Sequence, residues 1–468
     1  MTNFIGISNE GEAMKPKYIT YVINVLLISG LLSLVVINTA TAFVSTSDGS
    51  DGALDFSWAV SNTKDARGCS VVFDPDIPTT FDSDVNRQSI DQDNDNVFHF
   101  TSILIPTGVT VCLRADKLNW QPVYWLSSGD VELEFNGILD LQGAAGHVAS
   151  SAGEGRYSAM PGPGGFSGGL GASSLNLAQP GFGPGAGAPA PEDSRSGSAG
   201  HVDPGAANTG GAGASYGSPF LIPLIGGSGG AGAGGGVAAQ IISRTGGGAG
   251  GGAILIASDT QVINNGKIFA MGGSGHGPFG DESGGGSGGA VRILTPKFSG
   301  VFSGCCQNSG VINVSGGANG GSAGRIRIEA TNNTYAGQYT PDNSVSVRVS
   351  ALVDTTPFLP SDVLVPGWPS VRVISVNAIS LPAEPTASFE LPDVTINSTA
   401  AVPVVFNTIN IPTNAQLELT IISPFDGVVT VNPVFSAGDQ ASATWNANVA
   451  FPVNFSRGYI QAIWTPVP

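Results

Sequence analysis

The sequence predicts an all-β fold: a β-helix or solenoid-like body with a long glycine-rich insertion, followed by an immunoglobulin-like β-sandwich. Three observations carry that expectation. Glycine runs break three times into short alternating strands, at 246–258 (GGGAGGGAILIAS), 284–295 (GGGSGGAVRILT) and 320–330 (GGSAGRIRIEA). The copies are about 35–37 residues apart, a period typical of stacked repeats. Strands of this kind are followed by a second one that starts on Asn-Gly or Ser-Gly and ends on a glycine pair, at 265–273 and 309–317. A glycine-poor copy precedes them at 123–143, in which Asp130 and Asn136-Gly137 align with Asp259 and Asn265-Gly266. Beyond Trp368 the composition changes, and short alternating segments are punctuated by turn residues about every ten positions, the pattern of a sandwich.

Taken in order, residues 1–42 read as a signal peptide. Lys15 and Lys17 precede an apolar stretch over 18–37, and Ala40-Thr41-Ala42 offers small residues for cleavage before Phe43. An uncleaved anchor is the alternative, since about twenty apolar residues span a bilayer. Residues 43–97 are acidic and weakly periodic. The body runs from 98 to 367, opening with FHFTSILI and VTVCL strands around the Pro106-Thr107-Gly108 turn. Within it, 144–252 is dominated by Gly, Ala, Ser and Pro. Such a segment cannot form a core of its own, so it is a flexible insertion or an extended layer against the strands. From 253 onward, period-2 alternation predicts that Ile254, Ile256, Val291, Ile293, Ile326 and Ile328 share one core, with Leu255, Arg292 and Arg327 facing outward. Residues 368–468 are the expected sandwich.

The chain of 468 residues carries a net charge of -17, with 18 basic and 35 acidic side chains. That field repels nucleic acid and anionic membrane surfaces. Four cysteines in an exported chain favour disulfides. Cys305 and Cys306 are adjacent and would bond only through a strained ring; Cys69–Cys112 is the preferred pair among three connectivities. No CxxC motif lies near Cys69 or Cys112, and His99, His147, His201 and His276 lack metal-ligand spacing.

DGSDGALDF at 48–56, FHFTSILIPTGVTV at 98–111, the 123–143 copy, PGGFSGG at 163–169, the GGGAILIA-type repeats and GRIRIEA occur in that order. Together they resemble a widespread group of exported, glycine-rich bacterial surface proteins with GGGSGGAI(R/L)I-type repeats. The resemblance covers most of 48–330. It implies export and a β-solenoid-like body, and it brings no catalytic residues.

Several motifs match by composition alone. GxGxxG recurs within 226–252 without a βαβ unit or a placed acidic residue. GxSxG matches at Ser228 and Ser287, but a nucleophile elbow needs a strand-to-helix turn and a later histidine, and no histidine follows Ser287. The run Asp91, Asp93, Asp95 offers oxygen ligands at alternate positions, as a calcium loop does, although Asn96 and Ser102 stand where an EF-hand has glycine and glutamate. Calcium is the one cofactor this sequence suggests. The competing reading of the run is a solvated acidic turn.

Two classes of function follow. One is a secreted or cell-surface structural or adhesive protein without catalysis, whose partners are surface glycans or further copies of itself. The alternative is a carbohydrate-binding protein or a polysaccharide lyase-like β-helix enzyme. A lyase needs a base beside clustered carboxylates; the repeats supply Lys267, Lys297 and Arg292, with Asp281 and Glu282 in the intervening loop.

Overall fold

The computed structural model describes residues 43–464 apart from 85–87, 92–94, 148–157, 173–177, 191–194, 209, 234–244, 276–282, 302–309, 341–351, 355–369, 382–392, 397, 399, 424–426 and 451–458. The signal-peptide segment, Asp93, Asp281, Glu282, Cys305, Cys306 and His276 therefore lie outside the described residues. No described helix is long and apolar enough to cross a membrane.

Parallel strands stack in three rows, each joined turn upon turn by hydrogen bonds. The first row holds Val97–Phe100, Val123–Ser127, Ala253–Ser258, the first half of Ala290–Ser299, the first half of Arg325–Asn333, and Leu352–Asp354. In the second lie Ala53–Asp55, Ser102–Ile105, Val131–Leu133, Gln261–Asn264 and the second halves of the same two long strands. The third comprises Val71–Phe73, Thr110–Leu113, Ile138–Asp140, Lys267–Phe269, Val311–Asn313 and Gln338–Thr340. Because Ala290–Ser299 continues from the first row into the second, those two rows form one sheet.

Alternation sets what points inside. Ile254, Val291 and Ile326 are paired in register, as are Ile256, Ile293 and Ile328, and all six belong to one buried cluster. Val131, Val262 and Phe298 enter it from the second row, and Leu139, Ile268 and Ile312 from the third. Aromatic rings fill its amino-terminal end, where Phe73 packs edge-on against Phe98 and Trp125 at 5.4 and 5.8 Å. At the other end Tyr335 stacks on Phe298 at 4.6 Å. Leu255, Arg292 and Arg327 do face away from this core, as alternation requires, but they are buried rather than solvent-facing. A second layer covers them.

That layer is the glycine-rich segment, and its backbone follows a three-residue rule. Along 247–252, Gly247 and Gly250 donate to Gly169 and Phe166, Gly248 and Gly251 to Gly284 and Ser287, and Ala249 and Gly252 to Ala144 and Leu141. Each N–H thus turns to the next of three neighbours and returns after three residues. Gly227, Gly230 and Ala233 likewise donate to Gly251, Gly248 and Thr245. None of the glycines of 226–232, 246–252 or 284–289 has positive φ. An extended left-handed helix with three residues per turn and no internal hydrogen bonds has this signature. Several such segments lie side by side as a bundle along the edge where the third-row strands end and the first-row strands begin, as in the bonds from Gly252, Gly289 and Gly324 to Leu141, Ala270 and Val314. Residues 216–225 of the same glycine-rich stretch cover the outward side chains of the first row. The bundle satisfies its polar backbone through its neighbours, which is how a segment poor in large apolar residues stays ordered.

The expected fold class is corrected. The structure is strand-rich with almost no helix, but its main sheet is a parallel, nearly closed, barrel-like sheet with eight parallel strands along its path, not an immunoglobulin-like β-sandwich. Alternation reports that one strand face is buried; it is silent on whether neighbours run parallel or antiparallel and on which strands they are. The carboxy-terminal strands form two small antiparallel sheets. One of five is ordered Ile379–Ser380, Ser370–Val376, Val402–Ile409, Ala443–Val449, Val434–Gly438; one of three is ordered Gly427–Val431, Leu417–Ser423, Tyr459–Trp464. Leu419 packs with Val404 and Val449 in one cluster.

The acidic segment contributes the first strands of two rows, pieces of three residues that are too short to show a period. Cys69 and Cys112 are joined by a disulfide that closes a separation of 43 residues. Reducing it is expected to lower stability by about 4 kcal/mol through loop entropy returned to the unfolded chain. Urea unfolding with and without reductant measures this, and equal midpoints would show that the bond contributes nothing.

Candidate functional site

The first row gives Arg292, Arg325, Arg327 and Glu329 a common face, opposite the core. Register sets Arg292 beside Arg327 and Leu294 beside Glu329, while Glu329 follows Arg327 by two residues along its strand. One carboxylate oxygen collects three bonds: Arg292 Nε at 3.2 Å, Arg292 Nη2 at 3.0 Å and Arg327 Nε at 2.7 Å all donate to Glu329 Oε1. All three side chains are buried. Burial pulls the Arg292 guanidinium below its usual range, and Glu329 opposes that shift.

A strap over 216–225 closes the face. Phe220 lies 4.8 Å over the Arg327 guanidinium, and Leu221 and Leu224 pack on Leu126, Leu255 and Leu294. Tyr216 anchors the strap: its ring stacks on His201 at 4.6 Å, its hydroxyl donates to Gly226 O at 2.6 Å, and its carbonyl accepts from Arg325 Nη2 at 2.8 Å. Burial raises the Tyr216 phenol well above its usual range. On the bundle side His201 Nδ1 sits 2.7 Å from Gly288 O, and Ser228 N–H donates to Ser287 Oγ at 2.8 Å.

His201 is fully buried, and desolvation together with the nearby Arg325 lowers its pKa to about 4, the Gly288 hydrogen bond opposing. Its folded pKa lies below the unfolded value, so the unfolded state takes up the proton first as pH falls. Stability from this group is complete above pH 6.5 and declines as pH drops through about 4. The loss expected across that window is about 3 kcal/mol. Urea midpoints at several pH values should show it in the native chain and show a smaller slope in His201→Gln; identical slopes would assign the acid sensitivity elsewhere.

The residues proposed from sequence are not gathered. Arg292 lies in the first row, Lys297 in the second and Lys267 in the third, so three faces separate them. Lys297 is exposed and donates to Gln261 Oε1 at 3.1 Å, whereas Arg292 is sealed against Glu329. Ser228 and Ser287 are buried and bonded to each other within the bundle, which leaves the GxSxG serines without access to a substrate. In the acidic run, Asp91 accepts from Asp95 N–H at 3.1 Å and Asp95 from Val97 N–H at 2.8 Å, so both carboxylates fasten a turn. No cluster of three or more metal-ligating side chains occurs among the described residues.

His201, Tyr216 and Glu329 are the members that sequence reasoning passed over. Glu329 carried a signal: in Arg325-Ile326-Arg327-Ile328-Glu329 it shares the parity of both arginines. His201 and Tyr216 carried none, being fixed by the path of the bundle. The chain matches no family model, no curated protein and no solved structure.

Proposed function

We propose that this chain is a secreted or cell-surface structural or adhesive protein that works through shape and contact, without catalysis. One observation carries the reading: the buried ionisable group Arg292, Arg327 and Glu329 is internally paired and roofed by the strap. General acid–base chemistry needs positioned groups that a substrate can reach. The sequence resemblance to exported glycine-rich bacterial proteins supports the same reading. So does the acidic charge, which favours solubility outside the cell over contact with nucleic acid. Surface glycans or further copies of the chain are the partners this function calls for.

Two measurements test it together. Antibody labelling of intact cells with electron microscopy should place the native protein outside the cytoplasm. The purified protein should give no turnover of pectins, alginates, chitins, peptides or esters above buffer. Cleavage lost on mutating Lys267 or Lys297 would overturn the proposal in favour of the lyase-like enzyme.

A further inference from the structure

Asparagine followed by glycine occurs three times, at Asn136-Gly137, Asn265-Gly266 and Asn319-Gly320. Such a step carries its own nucleophile. The backbone nitrogen of the glycine can attack the asparagine Cγ and close a five-membered imide, and no Cβ shields that nitrogen. The two groups are neighbours in the chain, so the attack is intramolecular from the start. The fold then sets the rate by how it holds each partner.

The three environments differ. Gly137 N–H donates to Glu134 O, so that nitrogen must give up a bond before it attacks. Asn319 Nδ2, the group that has to leave, donates to Ser283 O at 3.3 Å. At the middle step the arrangement is the opposite. Gly266 N–H has no partner among the described residues, and Val301 N–H donates to Asn265 Oδ1 at 3.0 Å. A backbone N–H on that oxygen stabilises the negative charge it takes up in the tetrahedral intermediate. Asn265 is half-buried in the turn between the strands Gln261–Asn264 and Lys267–Phe269, where water reaches it.

We propose that Asn265-Gly266 is a self-modifying site, at which the folded chain converts asparagine to aspartate and isoaspartate without an enzyme. Hydroxide removes the Gly266 amide proton, and the nitrogen bonds to Asn265 Cγ. The Cγ–Nδ2 bond breaks, and the nitrogen leaves as ammonia after taking a proton from water. Water then opens the imide. Attack at Cγ leaves aspartate; attack at the main-chain carbonyl of residue 265 leaves isoaspartate, with one more atom in the backbone. That backbone is part of the stack, since Asn265 N–H donates to Leu133 O and Asn265 O accepts from Gly310 N–H. Isoaspartate therefore shifts the bonds that join three successive coils. The reaction proceeds whether or not the chain is itself catalytic.

Peptide mapping by mass spectrometry tests this on the full native chain, incubated in oxygen-18 water at several mildly alkaline pH values. Label should enter at Asn265 about fivefold faster than at Asn136 or more, the factor that one backbone hydrogen bond implies. Asn319 should also lag behind Asn265, and the rate at Asn265 should rise with pH. In urea, where the fold no longer distinguishes them, the three steps should convert at similar rates. Two results would overturn the proposal. One is an Asn265 that keeps its amide in the folded chain while the unfolded chain loses it. The other is conversion of Asn136 or Asn319 in the folded chain as fast as Asn265.

Discussion

Gly250→Ala is expected to abolish stable folding of the full chain. A Cβ at position 250 would fall 1.7 Å from Gly227 O and 2.1 Å from Gly227 C. Both are backbone atoms, so no side chain can swing aside. Segments 226–233 and 246–252 would have to part by more than an ångström, breaking the bonds from Gly227, Gly230 and Ala233. Overpacking alone costs about 1–3 kcal/mol, and each lost hydrogen bond adds about 1 kcal/mol. A total of about 4 kcal/mol or more approaches the whole stability of an ordinary domain. Gly211→Ala is the control, because its Cβ would meet only the Ala188 methyl at 3.4 Å. Thermal unfolding should separate the two variants widely; matching curves would mean that segments 226–233 and 246–252 do not pack as described.

Glu329→Gln is the second large effect, expected at about 3–5 kcal/mol, the range for breaking one partner of a buried ion group. The change keeps the side chain's shape and removes the charge on which two buried guanidinium groups converge. Replacing Arg292, Arg327 and Glu329 together by methionine should recover most of that loss, since a well-packed apolar set removes the charges along with their desolvation. Chemical denaturation of both proteins measures the pair of effects. A mild single variant would show that solvent reaches Glu329 after all.

Strand positions and the inward column were legible because residues such as Val291, Ile293, Ile326 and Ile328 alternate with polar neighbours. Pairing was not, since parity names a face and never a partner; hence the immunoglobulin-like expectation failed. The outward parity of Arg292 and Arg327 was also readable, but not their burial, which depends on the strap over 216–225 that lies above them. That bundle had left a trace: Ser228-Gly-Gly-Ala231, Ser287-Gly-Gly-Ala290 and Ser315-Gly-Gly-Ala318 place a side chain at every third position. The flanking glycines are the ones whose Cβ would strike a neighbouring carbonyl, as at Gly229, Gly230, Gly288, Gly289, Gly316 and Gly317. Composition alone leaves the runs open between a flexible insertion and an extended layer against the strands. As triplets they mark two crowded sides and one roomy side of a three-fold helix. The stacked pair of His201 and Tyr216 was least legible, because nothing local to either residue says that they will meet.

The triplet geometry gives these segments something like a reading frame. One residue added or removed within 247–252 would turn every later N–H by about a third of a turn, away from its acceptor and toward the wrong neighbour. Ala249 would rotate into a slot that only glycine fits, and the fault would pass along the rest of the segment. Three residues added together would return each amide to its own partner. Length variation inside the bundle is therefore quantised in threes, while single-residue drift is confined to the turns that join its segments.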